Sequence, residues 1–246
     1  MRLENEVFIV TGAQGGMGTE TVKRFLEEGA LVAAVDLNVD GAEESEHLLP
    51  ITADLTKEEE VEKVFSAAIE KFGRIDGLVN LAGIAQPATP IEEVSLADWE
   101  KIMRINTTAL FLTCRAAVPY MKNQGGGVII NIASISMVRP RPGLNAYIAS
   151  KGAAVSLSQA LAIELAEYGI RVNVVNPGPA DTNMLGDFTA KGNDIETIKE
   201  TVFKKSVPMG RLIAPIDIAN SLVYLCSKEA SIVTGSVLNV DGGRGI

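Results

Sequence analysis

With 246 residues, 47% of them hydrophobic, the chain has material for one sizeable α/β core or at most two small ones. Its 31 acids against 22 bases leave a formal charge of −9, which favours solubility and argues against nucleic acid or an anionic membrane as the main partner. No run of about 18 apolar residues occurs, and the first strand-like segment begins at Val7, so neither a membrane span nor a secretory leader is expected and the protein is placed in the cytoplasm.

Short β-branched runs alternate with longer helical patterns from end to end. Strands are expected over 7–11, 31–36, 49–54, 78–81, 128–133, 171–176 and 237–240. Their continuous apolar character suits strands buried on both faces. A first helix starts at Gly16. A second starts at Lys57, with Thr56 and Glu59 placed as a capping box. A third runs from about Asp98 to Lys122, with Ser95 and Asp98 placed in the same way. A fourth runs from Asn145 to Tyr168, and Pro215 opens the last. Such regular alternation predicts an α/β fold with one domain over 1–246, a doubly wound, seven-stranded parallel sheet with helices on both faces. The stretch 181–210 mixes Gly, Asp, Lys and Thr with only a weak helical pattern, as expected of a substrate lid.

Cys114 and Cys226 sit singly in apolar helical context and are expected to be buried thiols, and His47 lies in a polar stretch at the surface. One histidine and two distant cysteines make no metal site.

The first strand is followed by Thr11-Gly12-Ala13-Gln14-Gly15-Gly16-Met17-Gly18, which leads into a helix. Glycines let a pyrophosphate approach the backbone, and the helix N-terminus offers unpaired amides and partial positive charge. Asp36 closes the next strand, where a carboxylate accepts both ribose hydroxyls of NAD. The same carboxylate repels a 2′-phosphate, and Leu37, Asn38, Gln14 and Gly15 supply no cation to attract one. NAD is the expected cofactor.

Tyr147 and Lys151 stand at i and i+4 on the fourth helix, so phenol and ammonium share one face. A nearby ammonium stabilises a phenolate and is expected to draw the tyrosine down from its ordinary pKa near 10 toward neutrality.

Together these motifs closely resemble the compact branch of the short-chain dehydrogenase/reductase superfamily, from Val7 to Gly243. The resemblance implies a Rossmann domain that interconverts a secondary alcohol and a ketone by hydride transfer to or from NAD. Within it, Gly12, Gln14, Gly16, Met17 and Gly18 form the pyrophosphate loop, and Asp54 and Leu55 meet the adenine. Asn80-Leu81-Ala82-Gly83 stands where the family usually has Asn-Asn-Ala-Gly, which assigns Asn80, Ala82 and Gly83 to the cofactor. Pro177, Gly178, Ala180 and Thr182 fall at the nicotinamide. Ser134, 13 residues before Tyr147, would hydrogen-bond the substrate oxygen, and Tyr147 would be the acid/base. Lys151 would bind the nicotinamide ribose and lower the tyrosine pKa, while Asn106 would hold a water linking Lys151 to solvent. Enoyl reductases of this fold space tyrosine and lysine more widely, which disfavours carbon–carbon double-bond reduction. Carrier-linked 3-oxoacyl reduction and a catalytically idle NAD sensor remain as alternatives. The two long central helices carry more Ala, Leu and Ile than one sheet face needs, and by resemblance imply a homotetramer.

Between Ser134 and Tyr147 the chain reads Arg139-Pro140-Arg141-Pro142. Prolines stiffen an extended loop, and residues two apart then point the same way. Both guanidinium groups could therefore face the cleft and bind an anionic substrate group, or face solvent or a neighbouring subunit. No loop pattern names the substrate.

Overall fold

The computed structural model describes residues 1–189 and 195–246. Strands β1 (Val7–Thr11), β2 (Leu31–Asp36), β3 (Leu48–Thr52), β4 (Gly77–Asn80), β5 (Gly127–Ile132), β6 (Ile170–Pro177) and β7 (Val237–Val240) form one sheet. Its order is β3-β2-β1-β4-β5-β6-β7, and every pairing is parallel. The expected strands are all present, β1, β2 and β7 with the expected ends and the other four with ends displaced by one or two residues.

Helices α1 (Gly16–Glu27) and α7 (Pro215–Cys226) cover one face, and α2 (Glu58–Phe72), α4 (Ala109–Gln124) and α5 (Asn145–Leu165) cover the other. The period of two sorts the side chains. Phe8 and Val10 join the core beneath α1 and α7, while Ile9 between them packs on the opposite side. Phe8 meets Phe25 of α1 edge-on, with ring centres 4.9 Å apart. Each such fully buried side chain contributes about 1.5–3 kcal/mol relative to exposure. Cys114 and Cys226 are buried and free, and His47 is exposed. Burial raises both thiol pKa values, that of Cys114 to about 12. Among the described residues no cluster of three metal-ligating side chains occurs, and no helix is long and apolar enough to cross a membrane.

The anticipated capping box of Thr56 and Glu59 is not formed. The Thr56 hydroxyl instead donates to Asp54 Oδ1 at 2.7 Å, and the Asp54 amide donates to Glu60 at 2.6 Å. A carboxylate in the turn after β3 engages that hydroxyl, and α2 starts one residue later than expected, after Lys57. The Ser95 cap does form: its Oγ accepts from the Asp98 amide at 3.0 Å and opens α3 (Leu96–Met103). The single helix expected from Asp98 to Lys122 is interrupted by a π-helical turn, Arg104–Thr108, before α4 begins. Asn106 lies inside that turn.

Strand order reverses between β1 and β4, and a cleft opens beyond the carboxyl ends of the strands there. The glycine loop, Asp36, Ser134, Tyr147 and Lys151 border it.

Candidate active site

The turn after β1 is built for close approach. Gly12 adopts φ +68°, and a Cβ there would lie 2.7 Å from the Ala82 amide nitrogen. A Cβ on Gly18 would collide with the Gly12 carbonyl, which is how α1 packs so closely on the loop. A Cβ on Gly16 would come within 2.9 Å of the Thr182 side chain. α1 has no acid in its first turn, whereas α2 has Glu58, Glu59 and Glu60. The first-turn amides of α1 are therefore available to an anion rather than to a side chain of the protein.

Asp36 is pinned at the rim: Oδ2 accepts from the Gln14 amide at 2.9 Å and Oδ1 from the Leu37 amide at 2.7 Å. Gly12, Gln14, Gly16, Met17, Gly18, Asp36, Asp54, Leu55, Ala82 and Gly83 all line one cleft of about 960 Å³. Hydrogen bonds from Thr56 hold the Asp54 carboxyl below its ordinary pKa, so it faces the cleft as an anion. These features fit a dinucleotide. Asn80 departs from expectation, because its side chain lies beneath the cleft. It donates to Asn131 at 2.9 Å and accepts from Thr113 at 2.9 Å. A buried polar network claims the amide, which supports the loop from below.

A second cavity continues the first, sharing Met17, Leu81, Gly83, Ile84, Thr182 and Met184. Ser134, Tyr147, Lys151, Pro177, Gly178 and Ala180 all line it. Ser134 stands two residues beyond β5 and caps the 3₁₀ turn Ile135–Met137, and Tyr147 sits in the first turn of α5, so a loop after a strand and a helix start place the two hydroxyls together. Gln86 makes this helix start possible, and no motif announces it. It is buried, its Oε1 accepts from the Tyr147 amide at 2.9 Å, and its Nε2 donates to Asn145 at 3.2 Å.

Lys151 is buried and donates to the Ile132 carbonyl at 2.9 Å, with Nζ 5.8 Å from the Tyr147 ring centre. Burial lowers its pKa to about 8. Burial also pushes the Tyr147 phenol up to about 12, a hydrogen bond with Ser134 opposing. The expected drop in the tyrosine pKa is thus not found here. Desolvation of the phenolate outweighs the ammonium, whose hydrogen bond is directed to the backbone. Asn106 is also committed to protein groups. Its Oδ1 accepts from the Ile84 amide at 2.8 Å, and its Nδ2 donates to the Ile84 carbonyl at 3.0 Å and Ser150 Oγ at 3.1 Å. The π turn thereby clamps the loop after β4 onto α5.

The arginine loop divides. Ile135–Met137 forms a 3₁₀ turn and Val138 continues in helical conformation, so the run is not extended throughout. Arg139 turns to the Arg244 carbonyl at 3.0 Å, while Arg141 lines the cavity of Ser134 and Tyr147. From the expected lid, Phe188, edge-on to Tyr147 at 4.9 Å, and Phe203 also line the cavity. So does Arg244 near the C-terminus, which the sequence reading missed and no local pattern announces. Of the expected lid, Asn183–Phe188, α6 (Ile195–Ile198), a π-helical turn (Lys199–Phe203) and Lys204–Ser206 are helical, and 190–194 lie outside the described residues.

Residues 12–244 match the family model described as Enoyl-(Acyl carrier protein) reductase. The 4-formylbenzenesulfonate dehydrogenase of Comamonas testosteroni is 35% identical over all of both chains. The 2,5-dichloro-2,5-cyclohexadiene-1,4-diol dehydrogenase of Sphingobium indicum is 37% identical over 98% of this chain and 97% of its own. A solved 3-ketoacyl-(acyl-carrier-protein) reductase from Brucella melitensis, complexed with NADH, superposes with a TM-score of 0.92. It is 40% identical and covers 99% of this chain and 100% of its own. The chain belongs to the short-chain dehydrogenase/reductase superfamily. It is an NAD-dependent oxidoreductase of the class that interconverts secondary alcohols and ketones.

Proposed function

We propose that this reductase uses Tyr147 as its acid/base, Ser134 to hold the substrate oxygen, and Lys151 to stabilise the phenolate. The observation that carries the reading is the meeting of these three side chains in a cavity continuous with the glycine-loop cleft. NAD, when bound, supplies the hydride acceptor for alcohol oxidation. The first-turn amides of α1 hold its pyrophosphate and Asp36 its adenosine ribose. Asp54, Leu55, Ala82 and Gly83 border the same cleft, and Pro177, Gly178, Ala180 and Thr182 flank the catalytic end. Ser134 orients the hydroxyl of the substrate toward Tyr147, which removes the proton. Burial disfavours phenolate and ammonium separately, and the ammonium 5.8 Å from the ring centre would offset part of that cost once the phenolate forms. Asn106 keeps the Ile84 loop and the catalytic helix in register.

The four-residue spacing of Tyr147 and Lys151 favours alcohol–ketone chemistry over the double-bond reduction that the family description names. The substrates named for relatives include a benzenesulfonate and an uncharged chlorinated diol, so likeness alone does not choose among alcohols. Reduction of NAD by a panel of secondary alcohols, diols and hydroxy acids, followed by NADH absorbance, tests the reading. The name of the Brucella reductase supports carrier-linked reduction as a second reading. Oxidation of NADH by a 3-oxoacyl carrier conjugate, without activity on free alcohols, would favour it.

In the same reading the chain acts as one cytoplasmic domain, 181–210 is its substrate lid, and the working form is a homotetramer joined through α4 and α5. Those helices leave Phe111 and Ile163 at the surface, Ile163 83% exposed. Light scattering should give four subunits for the wild type and fewer for Ile163→Glu.

A further inference from the structure

We propose that Arg141 and Arg244 form a subsite for an anionic group, a carboxylate or sulfonate, on the alcohol substrate. The inference rests on the catalytic reading above, because it places this group in the cavity that holds Ser134 and Tyr147.

Both arginines line that cavity and neither lines the dinucleotide cleft, where the bordering cations are Lys101 and Arg104. The pair therefore faces the substrate rather than the cofactor. Arg244 is only 7% exposed, and Arg141 is half-buried with its guanidinium 4.9 Å from the Phe203 ring centre. Among the described residues neither forms an ion pair with a carboxylate. Arg244 has one side-chain partner, the neutral hydroxyl of Ser206. The nearest acid, Asp241, has its two oxygens engaged by the amides of Gly243 at 3.0 Å and Gly245 at 2.7 Å.

Burial lowers the pKa of both arginines. For Arg244, repulsion from Arg141 and Arg139 works in the same direction, and Asp241 opposes it only weakly. A chain of net charge −9 thus places two arginines at one wall of this cavity, with Arg139 behind them, and neither of the two has an ion-pair partner among the described residues. Uncompensated buried cations are costly, and an oxyanion relieves the cost through paired charge-assisted hydrogen bonds. Phe203 and the Ser206 hydroxyl fix the two guanidinium groups from the lid side, and Arg139 braces the Arg244 backbone. The hydroxyl carbon of the substrate then lies toward Ser134 and Tyr147, with its anion toward the C-terminal arginine wall.

The test is binding of methanesulfonate and benzoate to the NADH-bound enzyme, read by NADH fluorescence, with benzamide as neutral control. Both anions should bind, and Arg141→Met and Arg244→Met should each weaken them by about tenfold or more relative to benzamide. Arg141→Lys should recover part of the loss. Failure of both anions to bind, or equal weakening of anion and benzamide, overturns the proposal. So does a change in subunit number with anion binding intact, which would assign the arginines to a neighbouring subunit. Turnover of the whole panel of secondary alcohols, diols and hydroxy acids with NAD is read separately. Its absence would overturn the catalytic reading, whereas turnover without anion binding would overturn only the arginine subsite.

Discussion

Lys151 holds its ammonium 5.8 Å from the centre of the Tyr147 ring while donating its hydrogen bond to the Ile132 carbonyl. The two groups are neighbours without being hydrogen-bonded partners, and burial shifts them in opposite directions. Because the native Lys151 pKa is about 8, against 10.5 for the free side chain, the folded protein releases a proton that the unfolded chain keeps between those values. Its contribution to stability therefore rises with pH from about 8 to 10.5. Tyr147 acts in the other direction at higher pH, keeping in the fold a proton that the unfolded chain loses above 10, up to about 12. Denaturant midpoints measured against pH should show the first rise in the wild type and not in Lys151→Met. Parallel curves would contradict the buried-ammonium assignment.

Tyr147→Phe keeps the ring packed against Phe188 and removes only the exchangeable proton. Turnover should fall by roughly 10²–10⁴, the range of general acid–base catalysis, with NAD affinity nearly unchanged. Stopped-flow NAD binding beside steady-state rates separates the two quantities. Near-wild-type turnover would remove Tyr147 from the mechanism.

Asp36 accepts from the Gln14 and Leu37 amides, which aims a fixed negative charge at the ribose site. A 2′-phosphate there meets like charge, costing several kcal/mol, so kcat/KM with NADP should be at least about tenfold below that with NAD. Asp36→Ala combined with Leu37→Arg should narrow or reverse the ratio. Equal use of both cofactors by the wild type would refute the role.

Gly83 offers a sharper probe of lysine placement. A Cβ there would lie 3.1 Å from Asn106 Oδ1 and 3.3 Å from Lys151 Nζ, on a backbone that does not require glycine's left-handed freedom. Gly83→Ala should therefore change stability by only about 1 kcal/mol. It should nonetheless displace the ammonium by a few tenths of an ångström, and kcat/KM should fall about tenfold. A variant with full activity would show that the lysine head has slack.

What the sequence determined by itself was everything encoded in short intervals. Continuous apolar runs alternating with longer helical patterns placed seven strands and the covering helices, because each strand of a doubly covered sheet must be buried on both faces. The glycine loop, Asp36, and the four-residue step from Tyr147 to Lys151 were legible because the chemistry needs those residues at neighbouring backbone positions. Even locally, competition decided details. Thr56 had two partners within reach, a carboxylate acceptor and a helix amide donor, and only the folded turn after β3 showed that its hydroxyl goes to Asp54. The tertiary structure alone decided contacts between distant segments. Gln86 caps the catalytic helix from 61 residues upstream of Tyr147, Asn106 reaches Ile84 through a π turn, and Phe188 closes over the tyrosine ring. Most telling are the arginines. The alternation of Arg139 and Arg141 predicted a shared direction, but the helical turn through Val138 breaks the period of two. It sends Arg139 to brace Arg244 and leaves Arg141 in the cavity. Arg244 joins Arg141 there because β7 is the last strand of the sheet and its end returns the C-terminus to the catalytic edge. Chain topology, not residue spacing, brings two cations 103 positions apart to one wall.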